Sequence, residues 1–382
     1  MFKFLGRTTL HHLGGGSIIL PRLTFTTAQS TAPPKPHLLA ENLHNRTLLR
    51  LHGKDALPVL QGLVTNDVTK LRKGFQCQYA MFLNKSGKAL ADAIIYRTAN
   101  KNTFLLECDR NLINELKRRI RMYKHRDQEL DIESLNGDFV IWAVFNEFNN
   151  SNKSHESLSF AHCRSGGSVG LKINSEGPPT KSDEINEEIL LCRDPRLKSL
   201  GARVIVPHDF AMKDVCRLFP NCILESPTNK NDYKRLRYQL GVGEGTEDHP
   251  PGKTLPVEAN CDFLNGFCFS KAGYIGHDSS SQLYHVNIRK RLMPLVINGR
   301  IDFTNLNIHL PNGSHVGKLI GRKGRNGLAL LRIEQAMNAL RLLIDGVPCE
   351  LKKPGWWPTG EMMLGKEVSQ QRQPAKKKSV QN

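Results

Sequence analysis

The chain has 382 residues, 39% of them hydrophobic and 7% aromatic, which is enough to bury a core in roughly two or three compact units. This composition excludes global disorder, and no stretch approaches the roughly 20 uninterrupted apolar residues of a membrane-spanning helix. The formal net charge is +18, and about +10 remains when the basic ends, residues 1–35 and 366–382, are set aside. That excess favours anionic partners such as phosphates, polyglutamate tails or nucleic acid, without choosing among them.

The N-terminal residues 1–35 predict a mitochondrial transit peptide. They contain no acid, are rich in Thr and Ser, and space their bases among apolar residues, as an amphipathic import signal does. A disordered basic tail is the alternative. Cleavage is expected between Arg22 and Pro36, the matrix is the expected compartment, and residues 366–382 are expected to form a disordered basic tail.

The cysteines predict reduced thiols rather than a disulfide framework. There are nine of them, an odd number, with no CxxC pair and no zinc-ligand spacing. Most lie among apolar residues and are expected to be small core side chains.

The first elements in chain order predict an antiparallel β-meander that follows a strand and a short helix. A strand at residues 47–51 leads through a glycine turn into the helix and then the loop at 65–67. Apolar runs separated by the turn-forming segments KSGK and ANKN predict further strands at 76–84, 89–98 and 103–109.

The next element is an amphipathic helix at residues 112–126. Its apolar residues recur at helical spacing, and six bases surround them: Lys117, Arg118, Arg119, Arg121, Lys124 and Arg126. The basic face is either an ordinary solvated surface or a rim that attracts an anionic ligand.

The middle of the chain alternates strands with a polar segment. A strand at 138–146 precedes a Ser/Asn/Gly-rich stretch at about 149–187, which predicts a flexible insertion. Strands resume at 189–192 and 202–207, and a later helix ends at Gly241.

Beyond Arg289 the pattern changes to short strands with turn signals, which predicts a small C-terminal β-barrel at residues 291–365. Residues 319–324 (LIGRKG) resemble the GxxG loop of an RNA-binding KH domain, but they lie between strand-like runs, so a barrel hairpin is the favoured interpretation. The pair Trp356 and Trp357 is expected to pack on the barrel.

Residues 253–292 contain the highest density of candidate functional residues in the chain. Gly273 and Gly276 permit a tight loop, Tyr274 offers a stacking face with a polar tip, and Lys271 supplies a positive charge. An ordinary hairpin, whose glycines serve only the turn, is the alternative.

Residues 271–278 (KAGYIGHD) resemble the signature Lys-Gly-Cys-Tyr-x-Gly-Gln-Glu of the folate-binding family that includes the glycine-cleavage T-protein and the iron-sulfur maintenance factors. The segments LLRLHGKDA, GLVTNDV, FLNKSGKALAD, LPVEAN, IRKRL and GLALLR are similar as well. The resemblance runs from about Leu48 to Trp357. It is strongest to the mitochondrial members that assist the maturation of four-iron four-sulfur proteins.

The resemblance implies an α+β, aminomethyltransferase-like fold with mixed antiparallel sheets and helices, in which residues 36–290 form a core of two interleaved subdomains. It implies an assembly factor for four-iron four-sulfur proteins that binds tetrahydrofolate or a derivative and touches an iron-sulfur cluster at most transiently. A-type scaffold proteins and apo client proteins are the implied partners, without a membrane or DNA. The alternatives are a folate-dependent one-carbon (aminomethyl) transferase and a mitochondrial RNA-binding protein that uses the basic helix and the Arg322–Lys323 loop.

The resemblance also implies a set of site residues. Glu258 matches the acid that anchors the pteridine ring, since a carboxylate accepts two parallel N–H bonds. Asp92 lies at or beside the catalytic aspartate, in an Asp-Asp pair whose first member is here Ala91. The remaining expected ligand-binding residues are Asn66, Asn84, Lys271, Gly273, Tyr274, Gly276, His277 and Asp278.

The signature departs from the family pattern at four positions, the first of them Ala272, which replaces a glycine. Gly273 replaces the family thiol, and His277 and Asp278 replace the amide and the acid. Cys268 is a possible substitute thiol, although an inward-facing strand position is expected for it. His277, Asp278 and His285 do not have metal-ligand spacing, so no metal is expected.

Overall fold

The computed structural model describes residues 35–73, 76–146, 189–220, 222–229, 231–279, 288–302 and 304–358. The predicted transit peptide up to residue 34, the predicted insertion at 149–187, the predicted tail and His285 lie outside the described residues. Among the described residues, no helix combines the length and the apolar composition needed to cross a membrane.

The first sheet has five strands in the order β3-β4-β5-β2-β6. Its strands are β2 (Arg46–His52), β3 (Cys77–Leu83), β4 (Ala89–Arg97), β5 (Thr103–Asp109) and β6 (Asp131–Ser134). All neighbours are antiparallel, which confirms the predicted meander.

Two helices cover the outer face of this sheet. They are α1 (Ala56–Leu63) and α2 (Ile113–Tyr123), and their apolar sides join the strand residues in one buried core. The buried stripe of α2 is Ile113, Leu116 and Ile120, which follows the helical spacing of the sequence. The remaining face of α2 carries four of the six predicted bases, while Lys124 and Arg126 follow the end of the helix.

The second sheet has the order β10-β1-β7-β9-β8. Its strands are β1 (His37–Asn42), β7 (Phe139–Phe145), β8 (Leu190–Arg193), β9 (Ala202–Pro207) and β10 (Ile223–Glu225). The pairing of β1 with β10 is parallel and the other pairings are antiparallel. Helix α3 (Met212–Arg217) contributes Val215 to the core on one side of this sheet.

A shared core joins the two sheets. It contains Leu48, Tyr79 and Tyr96 from the first sheet, and Ile141, Phe145 and Ile205 from the second. Helix α4 (Asp232–Leu240) ends at Gly241, as predicted, and the short helix α5 (Gly245–Asp248) follows it. Both helices bring charged side chains into the interior.

The C-terminal strands close into a six-stranded barrel, as predicted, in the order β11-β14-β13-β12-β15-β16. They are β11 (Lys290–Ile297), β12 (Asn307–His309), β13 (His315–Lys323), β14 (Asn326–Arg332), β15 (Leu342–Ile344) and β16 (Val347–Leu351), with helix α6 (Ile333–Met337) after β14. The domain boundary between residues 290 and 291 stays a prediction.

Two details of the barrel agree with the sequence. The GRKG run ends β13 and turns directly into the antiparallel β14, so it forms a strand hairpin and not the helix-to-helix loop of a KH domain. Trp357 is buried in the barrel core and meets Phe263 edge-on at 6.1 Å between ring centroids.

Candidate functional site

The β3–β4 hairpin organises the candidate site. Its inner face, which points between the two sheets, carries the cross-strand pairs Cys77–Tyr96, Tyr79–Ile94 and Met81–Asp92. Alternate residues of a strand share a face, so these pairs form one line from the start of β3 toward the hairpin turn. Of the sequence-predicted residues, Asp92 lies on this line and Asn84 lies in the turn at its end.

Asp92 lies in the middle of the line and is fully buried. Its carboxylate accepts the backbone N–H of Gly245 at 3.0 Å, and Arg46 Nη1 lies 3.3 Å from its Oδ2. Burial disfavours the charged form, but the Arg46 guanidinium outweighs this effect and holds the pKa of Asp92 below its ordinary value. Asp92 is therefore an ionised acceptor at neutral pH.

Asp92 is part of a larger buried set, named here the central ion network: Arg46, Asp92, Glu107, Asp194, Arg196, Arg203, Arg237, Glu244 and Asp248. Its four arginines and five carboxylates leave a small negative excess, so the network does not favour a further anion. Glu244 is its most heavily paired acid. Burial opposes its ionisation, but Arg203, Arg196 and Arg237 hold the pKa of Glu244 well below its ordinary value.

The sequence did not predict this network, because its members come from both sheets, from the connection between β8 and β9 and from the α4–α5 region. The available signal was a charged residue inside a strand-like apolar run, such as Arg203 in ARVIVP or Glu107 in TFLLECD. Linear order could not show that these charges meet.

Several buried polar atoms beside the network have no hydrogen-bond partner among the described residues. They include Tyr79 Oη, Arg196 Nη1, Arg203 Nη1 and both ring nitrogens of His249. Tyr79 and His249 both lie within electrostatic range of Asp92. A buried donor without a partner costs about 1–3 kcal/mol, so these atoms suit a polar ligand or ordered water.

Tyr79 is suited to act as a donor. Its ring faces the Arg196 guanidinium at 5.6 Å, and burial, reinforced by Asp92, raises the pKa of Tyr79 well above its ordinary value. The hydroxyl therefore keeps its proton. Tyr79 was not predicted from the sequence, where it looks like an ordinary core aromatic of a strand.

The signature loop packs against the segment that follows α1, which lies along the edge of β3 away from β4. Lys271 is buried, and its Nζ donates at 2.6 Å to the carbonyl oxygens of both Val64 and Asn66, with the Tyr274 ring centroid 5.2 Å away. Burial lowers the pKa of Lys271 to about 7, against a weaker opposing effect of Asp67. These two hydrogen bonds anchor the signature loop to the segment that follows α1.

Asn66 is buried and fully engaged. Its Nδ2 donates to the carbonyl oxygens of Tyr79 (2.8 Å) and Asn265 (2.7 Å), and its Oδ1 accepts the N–H of Asp67. These bonds position β3 against the segment before the signature loop. The predicted ligand contact of Asn66 stays a prediction, with both amide donors already used.

The two glycines of the loop have left-handed backbone, with φ of +74° at Gly273 and +79° at Gly276. A Cβ at Gly276 would lie 2.4 Å from the carbonyl oxygen of Asn84, whereas a Cβ at Gly273 would meet no atom within 4 Å. Gly276 is therefore required for close packing on the β3–β4 turn. Gly273, where the family has a thiol, borders open space.

The remaining loop residues surround the β3–β4 turn. Tyr274 is buried against Phe267 and His277, with ring centroids 6.2 and 5.0 Å apart, and His277 Nδ1 lies 3.2 Å from Asp278 Oδ1. Asn84 caps the turn by accepting the Ser86 hydroxyl and the Lys88 N–H. Among the described residues, no group of three or more His, Cys, Asp and Glu side chains is arranged to hold a metal.

Glu258 is half-buried near the same turn. Burial raises the pKa of Glu258, and the charges of Lys290 and Lys88 partly offset this rise. The Glu258 carbonyl accepts the N–H of Leu292 at 2.8 Å, so its position is fixed by the start of the barrel. The structure thus places Glu258 and Asn84 around one hairpin end and Asp92 further along the same hairpin.

Cys268 is buried, with its Sγ 3.3 Å from the Ser270 hydroxyl. It precedes the signature loop in an irregular segment and not in a strand, which corrects the expected strand position. Its low exposure agrees with the expectation that it faces inward.

Comparison with known proteins defines the class. The aminomethyltransferase T of the glycine cleavage system from Bartonella henselae has a similar fold, with a TM-score of 0.62 over 85% of this chain and 87% of that one, at 15% identity. Residues 43–145 match the GCVT N-terminal domain, and residues 289–359 match the CAF17 C-terminal beta-barrel domain. The chain therefore has the aminomethyltransferase-like fold, with sheets, helices and a closed barrel.

Relatives at higher identity narrow the assignment. The mouse protein named iron-sulfur cluster assembly factor IBA57, mitochondrial, is 31% identical over 337 residues, which cover 83% of this chain and 85% of the relative. The human protein of the same name is 30% identical over 335 residues, with the same coverage. The chain belongs to the IBA57 family.

Proposed function

We propose that this protein is a mitochondrial assembly factor that supports the maturation of four-iron four-sulfur proteins. Its membership of the IBA57 family supports this proposal, because the mouse and human relatives are named mitochondrial iron-sulfur cluster assembly factors. Residues 1–35 are proposed as the targeting peptide and the matrix as the compartment. A-type scaffold proteins and apo client proteins are the proposed partners, and any contact with a cluster is transient.

We further propose that the inner face of the β3–β4 hairpin binds tetrahydrofolate or a derivative. The observation that carries this proposal is the group of buried, unpartnered polar atoms beside Asp92, above all Tyr79 Oη. A reduced folate supplies a planar heterocycle rich in N–H and C=O groups, which fits such donors and acceptors. The barrel-fixed Glu258 supplies a carboxylate acceptor, and Lys88 and Lys290 supply positive charge beside it.

A binding experiment tests the ligand directly. We expect calorimetric titration of the full chain with tetrahydrofolate to give saturable binding that Tyr79→Phe and Glu258→Gln each weaken by about tenfold or more, since each loses a buried hydrogen bond. Glu350→Gln, at an exposed position of β16, is the matched control and should bind normally. Absence of binding by the unaltered chain would refute the ligand but not the assembly function.

A cellular experiment tests the assembly function. Depletion of the protein should lower protein lipoylation and aconitase activity, because both depend on four-iron four-sulfur enzymes, and re-expression of the unaltered chain should restore them. Unchanged lipoylation and aconitase activity after depletion would refute the proposal.

Aminomethyl transfer is the second candidate, and the ionised Asp92 favours it, because a carboxylate beside the ligand can accept a proton. The Arg46 and Gly245 contacts count against it, since they already occupy that carboxylate. The discriminating assay is one-carbon transfer from methylene-tetrahydrofolate by the unaltered chain and by Asp92→Asn, with thermal unfolding measured in parallel. Transfer that disappears in a folded Asp92→Asn variant would favour the transferase.

A further inference from the structure

Two thiols meet where the two sheets join, at the end of the hairpin opposite the signature loop. Cys77 is the first residue of β3 and pairs with Tyr96, while Cys192 lies in β8 of the second sheet and pairs with Arg203. Cys77 Sγ lies 3.4 Å from the carbonyl oxygen of Arg193, the residue next to Cys192, so the two thiols are neighbours in the structure. Both side chains belong to the core shared by the sheets.

The two thiols differ in access. Cys77 is partly exposed, whereas Cys192 is buried. The hydrogen bond with Cys77, burial, and the nearby Glu107 and Asp194 all raise the pKa of Cys192 well above its ordinary value. Cys192 therefore stays protonated, and an oxidant from solvent reaches Cys77 first.

We propose that Cys77 and Cys192 form a reversible disulfide that cross-links the two sheets when the protein meets a peroxide. The Cys77 thiolate attacks the O–O bond of hydrogen peroxide, which gives a sulfenic acid at Cys77 and releases water after proton transfer. The Cys192 sulfur then displaces a second water from that sulfenic sulfur and loses its proton. Two thiols lose two electrons, one peroxide becomes two waters, and thiol reductants reverse the reaction.

The cross-link would act next to the central ion network. Tyr96, opposite Cys77, donates its hydroxyl to Glu107 at 2.5 Å, and Arg203, opposite Cys192, pairs with Glu244 and lies 3.4 Å from Glu107. A disulfide here would tie β3 to β8 and limit movement between the sheets. The inference does not depend on the proposed ligand.

The experiment oxidises the reduced, purified full chain with hydrogen peroxide. We expect the loss of two titratable thiols per chain, a Cys77–Cys192 cross-linked peptide in a non-reducing digest, and recovery of both thiols with dithiothreitol. In Cys192→Ser, dimedone should label Cys77, because the sulfenic acid persists. In Cys77→Ser, neither the cross-link nor a sulfenic acid at Cys192 should form.

Cys216→Ser is the matched control, because Cys216 is also partly exposed and should leave the Cys77–Cys192 cross-link unchanged. Thermal unfolding of each variant verifies that it is folded, and Cys192→Ala replaces Cys192→Ser where the serine variant does not fold. A digest with other cross-links only, or oxidation of Cys77 to sulfinic acid while Cys192 keeps its free thiol, would overturn the proposal.

Discussion

At the scale of single residues, the two signature-loop glycines share left-handed backbone but differ in their surroundings. Gly276→Ala should lower the free energy of unfolding by several kcal/mol, because its Cβ must displace the Asn84 carbonyl oxygen. Gly273→Ala should cost only about 1–2 kcal/mol, which is the backbone penalty alone. Urea unfolding of both variants checks this difference, and equal losses would contradict it.

Gly273→Cys, which restores the family thiol, should likewise fold with a modest loss of stability. Its Cβ enters open space at an exposed position, so the new thiol should react readily with a thiol reagent. Lipoylation can then be measured in cells depleted of the protein and complemented either with Gly273→Cys or with the unaltered chain. The difference between the two reports the effect of this thiol.

Lys271 gives a second prediction at the residue scale. Its folded-state pKa is about 7 against an ordinary value of 10.5, so between these pH values the unfolded chain binds one more proton than the folded chain. The free energy of unfolding should therefore rise with pH from about 7 to 10.5. Lys271→Met should flatten this rise, while Lys85→Met, at an exposed position, should preserve it. Identical pH profiles for Lys271→Met and the unaltered chain would contradict the prediction.

How much of the site the sequence could predict depends on the range of each interaction. The positive φ of Gly273 and Gly276 was predictable, because turn geometry is local. The bonds from Lys271 to Val64 and Asn66 were not, since the partners lie about 200 residues away in the chain. The sequence therefore predicted only that Lys271 supplies a positive charge, whereas the structure shows that its buried ammonium group also anchors the loop.

At the scale of elements, hydrogen bonds between the segments 255–260 (LPVEAN) and 288–292 (IRKRL) anchor the barrel to the rest of the protein. Arg291 donates to both carboxylate oxygens of Asp262 (2.8 and 2.7 Å) and to the Val257 carbonyl, and its guanidinium lies 3.8 Å over the Phe263 ring. Asn260 Nδ2 donates to the Leu292 carbonyl at 2.9 Å. The family resemblance of these segments thus has a structural reason in addition to any ligand contact.

Arg291→Ala should therefore reduce the free energy of unfolding by about 3–5 kcal/mol, because it leaves the buried Asp262 carboxylate without its partner. Arg300→Ala, at an exposed position after β11, is the control and should change stability by less than about 0.5 kcal/mol. Urea denaturation measures both. A loss below about 1 kcal/mol for Arg291→Ala would mean that the pair does not stabilise the junction.

The strands and helices with clear local periodicity were predicted, whereas β1, β6 and β10 were not. The predicted strand at 103–109 is β5, and the helix predicted at 112–126 is α2 with shorter ends. The order β3-β4-β5-β2-β6 could not be read fully from the sequence, because β2 inserts between β5 and β6 through contacts distant in the chain. The barrel hairpin at Gly324 was predicted because its turn signal lies between two strand-like runs.

At the scale of the whole molecule, the central ion network joins both sheets and α4. Arg46 comes from β2, Arg203 from β9 and Arg237 from α4, and each pairs with acids of other elements. Replacing such a buried group without its partner leaves an uncompensated charge in the interior. The relative position of the two sheets should therefore depend on the charge state of these acids.

This dependence predicts a defined acid sensitivity. The pKa values of Asp92, Asp194 and Glu244 are lowered in the folded protein from ordinary values of 3.8 for Asp and 4.5 for Glu, against the opposing effect of burial and because of their arginine partners. Their contribution to the free energy of unfolding is complete above about pH 4.5, and it is lost as the pH falls through the lowered values, where the unfolded chain binds more protons.

Asp92→Asn should lower the free energy of unfolding at pH 7 and make its fall below pH 4.5 less steep. Glu115→Gln removes an exposed pair with Arg118 and should leave both features nearly unchanged. Urea unfolding between pH 7 and pH 3 measures the slopes, and an Asp92→Asn slope equal to that of the unaltered chain would contradict the role assigned to this carboxylate.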